Sequence, residues 1–234
     1  MTKNLFETVS LPSGAHLKNR IVMAPMTTES AYYDGSITEE LIEYYAHRSG
    51  EAGAVIVESA FVEDKGRGFF GAIGIDTDDK IEGLSCLAEA IKAKGSKAII
   101  QIYHAGRMAF PDMNKGHNPI SASSVAALRP NAPVPTEMAH RDILDMIQYF
   151  VDGVRRAIRA GFDGVELHGA NTYLIQQFFS PHSNRRTDAW GGTIEKRAKF
   201  SMDLVQAVKE LIAAEAPSDF ILGYRFSPEE LEEP

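Results

Sequence analysis

Short β-branched runs alternate with longer amphipathic segments along most of this chain, the pattern of parallel strand-and-helix units. Arg20 to Ala24 (RIVMA) predicts the first strand. Ile37 to Ala52, apolar at Leu41, Ile42, Tyr45 and Ala46, predicts the helix after it, and Thr38 ahead of Glu40 and Leu41 suits a helix start. Ala54 to Glu58 (AVIVE) predicts the second strand. A helix from about Lys80 to Lys94 follows, ended by Gly95 and with Lys92 and Lys94 favourably placed in its last turn.

The third strand is predicted at Ala98 to Tyr103 (AIIQIY), but no helical period follows it directly. From Gly106 to His140 the chain carries five prolines, an excursion far longer than the ~2–6 residues of ordinary strand-to-helix connections. Segments of that length in compact domains usually act as lids or binding elements. A helix resumes from Ile143 to Ala160, before Gly161. Gly164 to His168 (GVELH) predicts the fourth strand, Thr193 to Ala214 the fourth helix, and Phe220 to Phe226 (FILGYRF) the fifth strand.

The continuous apolar character of these strands predicts burial on both faces, hence a parallel sheet with helices outside it. An open dinucleotide-binding sheet should place a Gly-rich turn directly after its first strand, whereas Ala24 leads here into Pro25, Met26, Thr27 and Thr28. A (β/α)8 TIM barrel is therefore expected, with one domain covering residues 1–234 and a lid-like insertion at about 106–140. A full barrel needs ~250 residues, yet this chain of 234 residues reaches only a fifth strand, so a C-terminally truncated barrel is expected.

Composition narrows the partners. The formal net charge of −8 opposes binding to nucleic acid, which requires a basic surface, and points to small molecules. A single cysteine, Cys86, excludes an internal disulfide framework and a cysteine-rich metal cluster. No apolar run approaches the ~20 residues of a membrane span, and no basic-then-apolar leader opens the chain. A cytoplasmic location is the default expectation, with no membrane partner.

In barrel enzymes the reactive groups stand at the C-terminal ends of strands. Thr27, Glu58 with Ser59, Gln101, His168 and Arg225 all fall there. A strand-terminal Thr or Ser is by itself an ordinary turn or cap residue, and His168 alone could be a satisfied core histidine. Gln101 interrupts an apolar run, and a buried amide is costly without hydrogen-bond partners, which a planar heterocycle could supply. His168, Asn171 and Tyr173 together form a small catalytic set: two donors able to converge on one carbonyl oxygen, and a phenolic proton donor. Nucleophile-elbow, P-loop and zinc-protease patterns are absent. Hydride addition to a conjugated alkene suits such a set, and hydride chemistry requires a nicotinamide or flavin.

Four segments carry a family resemblance: Leu17 to Thr27 (LKNRIVMAPMT), Ile100 to Arg107 (IQIYHAGR), Gly164 to Leu174 (GVELHGANTYL) and Phe179 to Gly192 (FSPHSNRRTDAWGG). In this order they resemble the Old Yellow Enzyme family of flavin oxidoreductases, across essentially the whole chain. The last segment is the most specific, although the family normally has Tyr where this chain has Trp190. The resemblance implies FMN as cofactor and NADH or NADPH as hydride donor. Ala24, Pro25, Met26 and Thr27 would line one side of the flavin, with Thr27 bonded to a flavin carbonyl. Ser59 and Gln101 would meet the pyrimidine edge, and His168 and Arg225 the electron-rich side of that edge. His168 and Asn171 correspond to the substrate-oxygen clamp, Tyr173 to the proton donor, and the excursion at 106–140 to a partial cover of the site.

By the same resemblance the residues holding the FMN phosphate would follow Pro234. Glu29 stands near where some bacterial members place a substrate-contacting Tyr. Arg185, Arg186 and Asp188 are expected to be structural, bracing their loop by charge-assisted hydrogen bonds. The leading expectation is an NAD(P)H-dependent reductase of activated alkenes such as α,β-unsaturated carbonyls. Two alternatives stay open: the first part of a larger iron-sulfur flavoenzyme of the dienoyl-CoA reductase type, and a catalytically inactive fragment. Self-association into a homo-oligomer is compatible with the sequence.

Overall fold

The computed structural model describes residues 4–227. A hairpin comes first, β1 (Val9–Ser10) pairing antiparallel with β2 (His16–Leu17). The main sheet is built from β3 (Val22–Met23), β4 (Ala54–Phe61), β5 (Lys97–Tyr103), β8 (Gly164–Gly169) and β9 (Ile221–Phe226). Between them run α1 (Glu39–Arg48), α2 (Ile81–Lys92), α3 (His140–Arg159), the short α4 (Leu174–Phe179) and α5 (Ile194–Glu215). Two further short strands, β6 (Ile120–Ser121) and β7 (Thr136–Glu137), pair with each other inside the excursion.

The main sheet has the order β3-β4-β5-β8-β9, every pair parallel. A doubly wound sheet must reverse its strand order at a switch point. Here the order never reverses, so the units succeed one another around an arc, as in a (β/α)8 barrel.

The helices begin where local chemistry permits. Thr38 caps α1, its hydroxyl accepting from Leu41 N at 3.2 Å, and Thr193 caps α5 through Lys196 N. α1 stops at Arg48, short of the expected Ala52, because Ser49 turns extended and Gly50 takes φ +110. α3 begins at His140, three residues before the expected Ile143, where Asp142 accepts from Ala139 N at 2.9 Å and satisfies a free donor.

The main core lies between the sheet's outer face and the helices, with Val55, Val57, Ile100, Val165 and Leu167 packed on Leu84, Ile91, Phe150, Val154, Phe200 and Leu204. A second cluster occupies the inner face: Ala54, Ile99 and Ile221 meet Ala15 and Leu17 of the hairpin segment, which closes one end of the arc. Burial of every strand on both faces does not hold. Val22 in β3 is 44% exposed and Phe226 in β9 is 66% exposed, because these are the two edge strands of the sheet. Among the described residues no helix is long and apolar enough to cross a membrane.

Candidate active site

Side chains alternate across a strand, so every second residue of β5, β8 and β9 faces the inside of the arc. The register places these residues in layers. Ile99, Gly164 and Ile221 are paired neighbours at the closed end; above them lie Gln101, Glu166 and Gly223. His168 pairs with Arg225 in the next layer, with the Tyr103 ring 6.5 Å from the His168 ring. Apolar bulk thus gives way to polar chemistry within two steps along each strand.

Gln101 is 3% exposed, and its Nε2 donates to Glu166 Oε1 at 2.7 Å. Its Oε1 makes no hydrogen bond among the described residues. Burial pushes the Glu166 carboxyl above the usual carboxylate range, against the opposing pull of the Gln101 bond and of the Arg225 charge. Ser59 is buried beside a register irregularity between Val57 and Ala60, and its hydroxyl likewise has no protein partner there. Arg225 is half-buried and makes neither a hydrogen bond nor an ion pair among the described residues.

His168 Nδ1 accepts from Ala170 N at 3.4 Å, which leaves the proton of a neutral imidazole on Nε2. Burial, aided by Arg225, lowers its pKa to about 3, so the ring is a neutral donor and not a cation at ordinary pH. Tyr173 meets it edge-on, with ring centroids 4.9 Å apart and planes at 86°. Burial raises the Tyr173 phenol to about 12, opposed by the charge of Arg129 from the excursion. Tyr103, whose hydroxyl accepts from Gly68 N at 3.0 Å, packs at 5.0 Å against Tyr173 and completes an aromatic wall.

The turn between β8 and α4 is strained. Asn171 and Thr172 both lie in the left-handed region, at φ +55 and +62. For a β-branched threonine that conformation is disfavoured and must be held from outside. Gln176 Oε1 accepts from Thr172 N at 2.7 Å, and Gln177 Nε2 donates to Thr172 O at 2.6 Å. Gln177 also donates to Ala105 O and accepts from Arg107 N and Ser121 Oγ, each at 3.0 Å. One buried amide therefore joins the loop after β5, the excursion and the turn carrying Asn171 and Tyr173. Gly106, at φ +59, leaves room for it, since a Cβ there would run into the Gln177 amide.

The structure brings His168 and Tyr173 into contact, with Asn171 exposed on the same turn, Arg225 paired with His168, and Gln101 one layer below on the other neighbouring strand. Ala24, Met26 and Thr27 are exposed and Pro25 half-buried in the loop after β3. That loop is anchored one residue further on: Thr28 N and Oγ1 donate to the two oxygens of buried Glu58 at 2.6 and 2.7 Å, and the Tyr45 hydroxyl adds a third bond at 3.4 Å. Arg186 grips Asp188 through Nε and Nη2, and its Nη1 donates to Ala122 O and Met138 O. Asp188 in turn accepts from Trp190 N. These residues brace the loop, as expected, and the Trp190 indole donates to His140 Nδ1 at 2.9 Å.

Sequence reasoning missed Glu166, Tyr103, Gln177 and the clamping role of Glu58. A signal existed for Glu166, which stands two residues before His168 on one strand and so shares its face.

Among the described residues, the polar groups left without a protein partner on this inner face include a hydroxyl (Ser59), an amide oxygen (Gln101), the second carboxylate oxygen of Glu166, an imidazole N–H (His168) and a guanidinium (Arg225). The hydroxyl, the amide and the guanidinium fit the alternating carbonyl and N–H groups of a flavin pyrimidine edge, and the single His168 N–H is left for a further acceptor.

The model of the NADH:flavin oxidoreductase / NADH oxidase family matches residues 4–234. The chain is 65% identical over 230 residues to an NADH:acrylate oxidoreductase of Vibrio harveyi, covering 98% of this chain and 23% of that protein. It is 53% identical to an NADH:fumarate oxidoreductase of Klebsiella pneumoniae (strain 342), covering 100% of this chain and 26% of the relative. Among solved structures it is similar to morphinone reductase in complex with tetrahydroNAD, with TM-score 0.87 and 31% identity over 97% of this chain and 64% of that one. The chain thus spans about a quarter of the length of these two curated relatives.

Proposed function

The chain belongs to the NADH:flavin oxidoreductase / NADH oxidase family, and from that premise we propose that its inner face holds FMN and serves an NAD(P)H-dependent reduction of activated alkenes such as α,β-unsaturated carbonyl compounds. The observation that carries the reading is the set of polar groups of Ser59, Gln101 and Arg225 left unpartnered among the described residues, layered beside the His168–Tyr173 contact. Ser59 and Gln101 take the pyrimidine edge of the cofactor, Arg225 supplies positive charge near it, and Ala24, Pro25, Met26 and Thr27 form one side of its seat. When bound, FMN supplies the two-electron chemistry that side chains lack.

The protein's own contribution is orientation and proton control. The Nε2–H of His168, with the Asn171 amide, binds the substrate's carbonyl oxygen and draws electron density from the conjugated double bond. A neutral imidazole suits this role, since it gives a hydrogen bond without surrendering a proton. Tyr173 holds a proton that water does not remove at ordinary pH and delivers it to the carbon next to the carbonyl.

Anaerobic titration of the FMN-loaded protein with NADH tests the proposal, followed by mixing with an α,β-unsaturated ketone. Bleaching by NADH and rapid return of the oxidised spectrum on adding the alkene are expected. A protein that takes up no FMN, or a reduced flavin indifferent to every activated alkene, would overturn it.

The coverage of the relatives favours a second reading. Because this portion is about a quarter of proteins named for acrylate and fumarate, it could accept hydride from NADH while the alkene is reduced elsewhere in a longer polypeptide. Prompt NADH bleaching combined with no reoxidation by alkene in the isolated portion would select that reading.

A further inference from the structure

We infer that Glu166 is a positioning residue that fixes the donor and acceptor ends of the Gln101 amide and so sets what the pyrimidine edge of the flavin meets. The inference rests on the FMN reading above and concerns how that site recognises its ligand.

A glutamine side chain can present either its oxygen or its nitrogen in a given direction, since the two ends of the amide have the same shape. A neighbour that only accepts hydrogen bonds removes that freedom. Gln101 and Glu166 are register partners on adjacent parallel strands, and the 2.7 Å bond from Gln101 Nε2 to Glu166 Oε1 is the one hydrogen bond either side chain makes among the described residues. An ionised carboxylate has no proton to give, so the amide nitrogen must turn to Glu166 and the amide oxygen must turn away. The pyrimidine edge of a flavin presents one N–H between two carbonyls. The freed Gln101 oxygen suits that N–H, and the second amide N–H suits a flanking carbonyl.

Packing alone does not call for a carboxylate at this place. The residues in register on β5 and β9 are Gln101 and Gly223, and an apolar side chain would fill the space beside Gly223 without the desolvation that burdens Glu166. The nearby guanidinium of Arg225 offsets part of that burden.

The test is a double-mutant cycle on FMN affinity, read by quenching of FMN fluorescence on titration with apoprotein, with wild type, E166Q, Q101A and the double variant. Glu166→Gln keeps the shape but can donate as well as accept, so the Gln101 amide is free to turn over. FMN affinity should fall about tenfold in E166Q, the loss of about one well-placed hydrogen bond. In the Q101A background the same substitution should change affinity by less than about twofold, because the group it acts through is gone. Losses that multiply in the double variant would show that Glu166 acts independently of Gln101 and overturn the inference. So would an E166Q protein that binds FMN like wild type. Wild-type protein with no FMN affinity would instead overturn the cofactor reading and this inference with it. Should E166Q fail to fold, E166D in both backgrounds serves the same cycle, since it moves the acceptor away without removing its charge.

Discussion

Replacing Gln177 by Met keeps the length of a fully buried side chain and removes its amide. That amide uses both N–H groups and both acceptor positions of its oxygen, on Ala105 O, Thr172 O, Arg107 N and Ser121 Oγ. Thr172 is half-buried, so water can replace its lost donor, but Ala105, Arg107 and Ser121 are buried and would keep unpaired groups. At about 1–3 kcal/mol for each buried group left unsatisfied, three such groups give a penalty of at least about 3 kcal/mol. For a domain of this size that corresponds to a fall of roughly 6–12 °C in Tm. The damage should be local as well, because Gln177 holds Thr172 at its positive φ and thereby sets where Asn171 and Tyr173 sit. Calorimetry of the FMN-loaded protein reads the first effect, and stopped-flow measurement of the two half-reactions the second. Alkene reduction should slow more than flavin reduction by NADH. A Q177M protein with unchanged Tm and unchanged alkene reduction would show that the amide network does not hold the turn.

Tyr173→Phe should slow alkene reduction by about 10²-fold or more while leaving flavin reduction by NAD(P)H nearly unchanged, as separate half-reaction rates will show; equal losses in both would remove the proton-donor role. The kcat/KM profile for the alkene should be flat from roughly pH 5 to pH 10 as far as these two groups are concerned. His168, lowered to about 3, stays neutral down to acid pH, and Tyr173, raised to about 12, keeps its proton up to alkaline pH; a limb near pH 6.5 that vanishes in H168N would contradict this. The chain of 234 residues on its own should self-associate, because among the described residues β3 and β9 are the unpaired edges of the main sheet, with Val22 and Phe226 exposed; a monodisperse monomer on gel filtration would refute it. The amides of Val125 and Met138, which donate to Ser123 O at 2.8 Å and Ser121 O at 3.0 Å, should exchange with solvent slowly, and fast exchange throughout 106–140 would mark the excursion as a mobile lid.

The strands and long helices were legible because each has enough residues for a period to show, and because Thr38 and Thr193 announce their helices by chemistry that acts over three residues. α4 was not legible: Leu174–Phe179 is six residues with Gln176 and Gln177 in the middle of its apolar run, too short for a helical period. The two-residue strands of the hairpin and of the excursion left no pattern at all. In the site, His168, Asn171 and Tyr173 could be read together because they are close in sequence and the turn between them only has to fold back. Gln101 was legible as a buried amide in want of partners, but its partner Glu166 lies 65 positions away and depends on the register of β5 against β8. Gln177 joins segments 70 and 56 positions distant at Arg107 and Ser121, and nothing local foretells that convergence.

The excursion between Gly106 and His140 bears on how the site could work, because its length alone suggests a cover that opens while its bonding argues for a wall that stays. Its first residues are tied by Gln177, its middle by Arg186 to Ala122 O and by Ser123 Oγ to Arg185 N, and its far end by Arg186 to Met138 O and by the Trp190 indole to His140. Arg107, itself buried, donates to Val125 O and Ala126 O from inside the same segment, and Arg129 donates to Met108 O while lying 3.5 Å over the Phe110 ring. Opening it as a lid would break both charge-assisted bonds of Arg186 at once, each worth about 1.5–3 kcal/mol when buried. Substrate entry would then have to use the side left uncovered, where Asn171 and the Ala24 to Thr27 loop are exposed. On this account Arg129 keeps its place beside Tyr173 through the whole cycle, and the electrostatic setting of the proton donor is built into the fold before any substrate arrives.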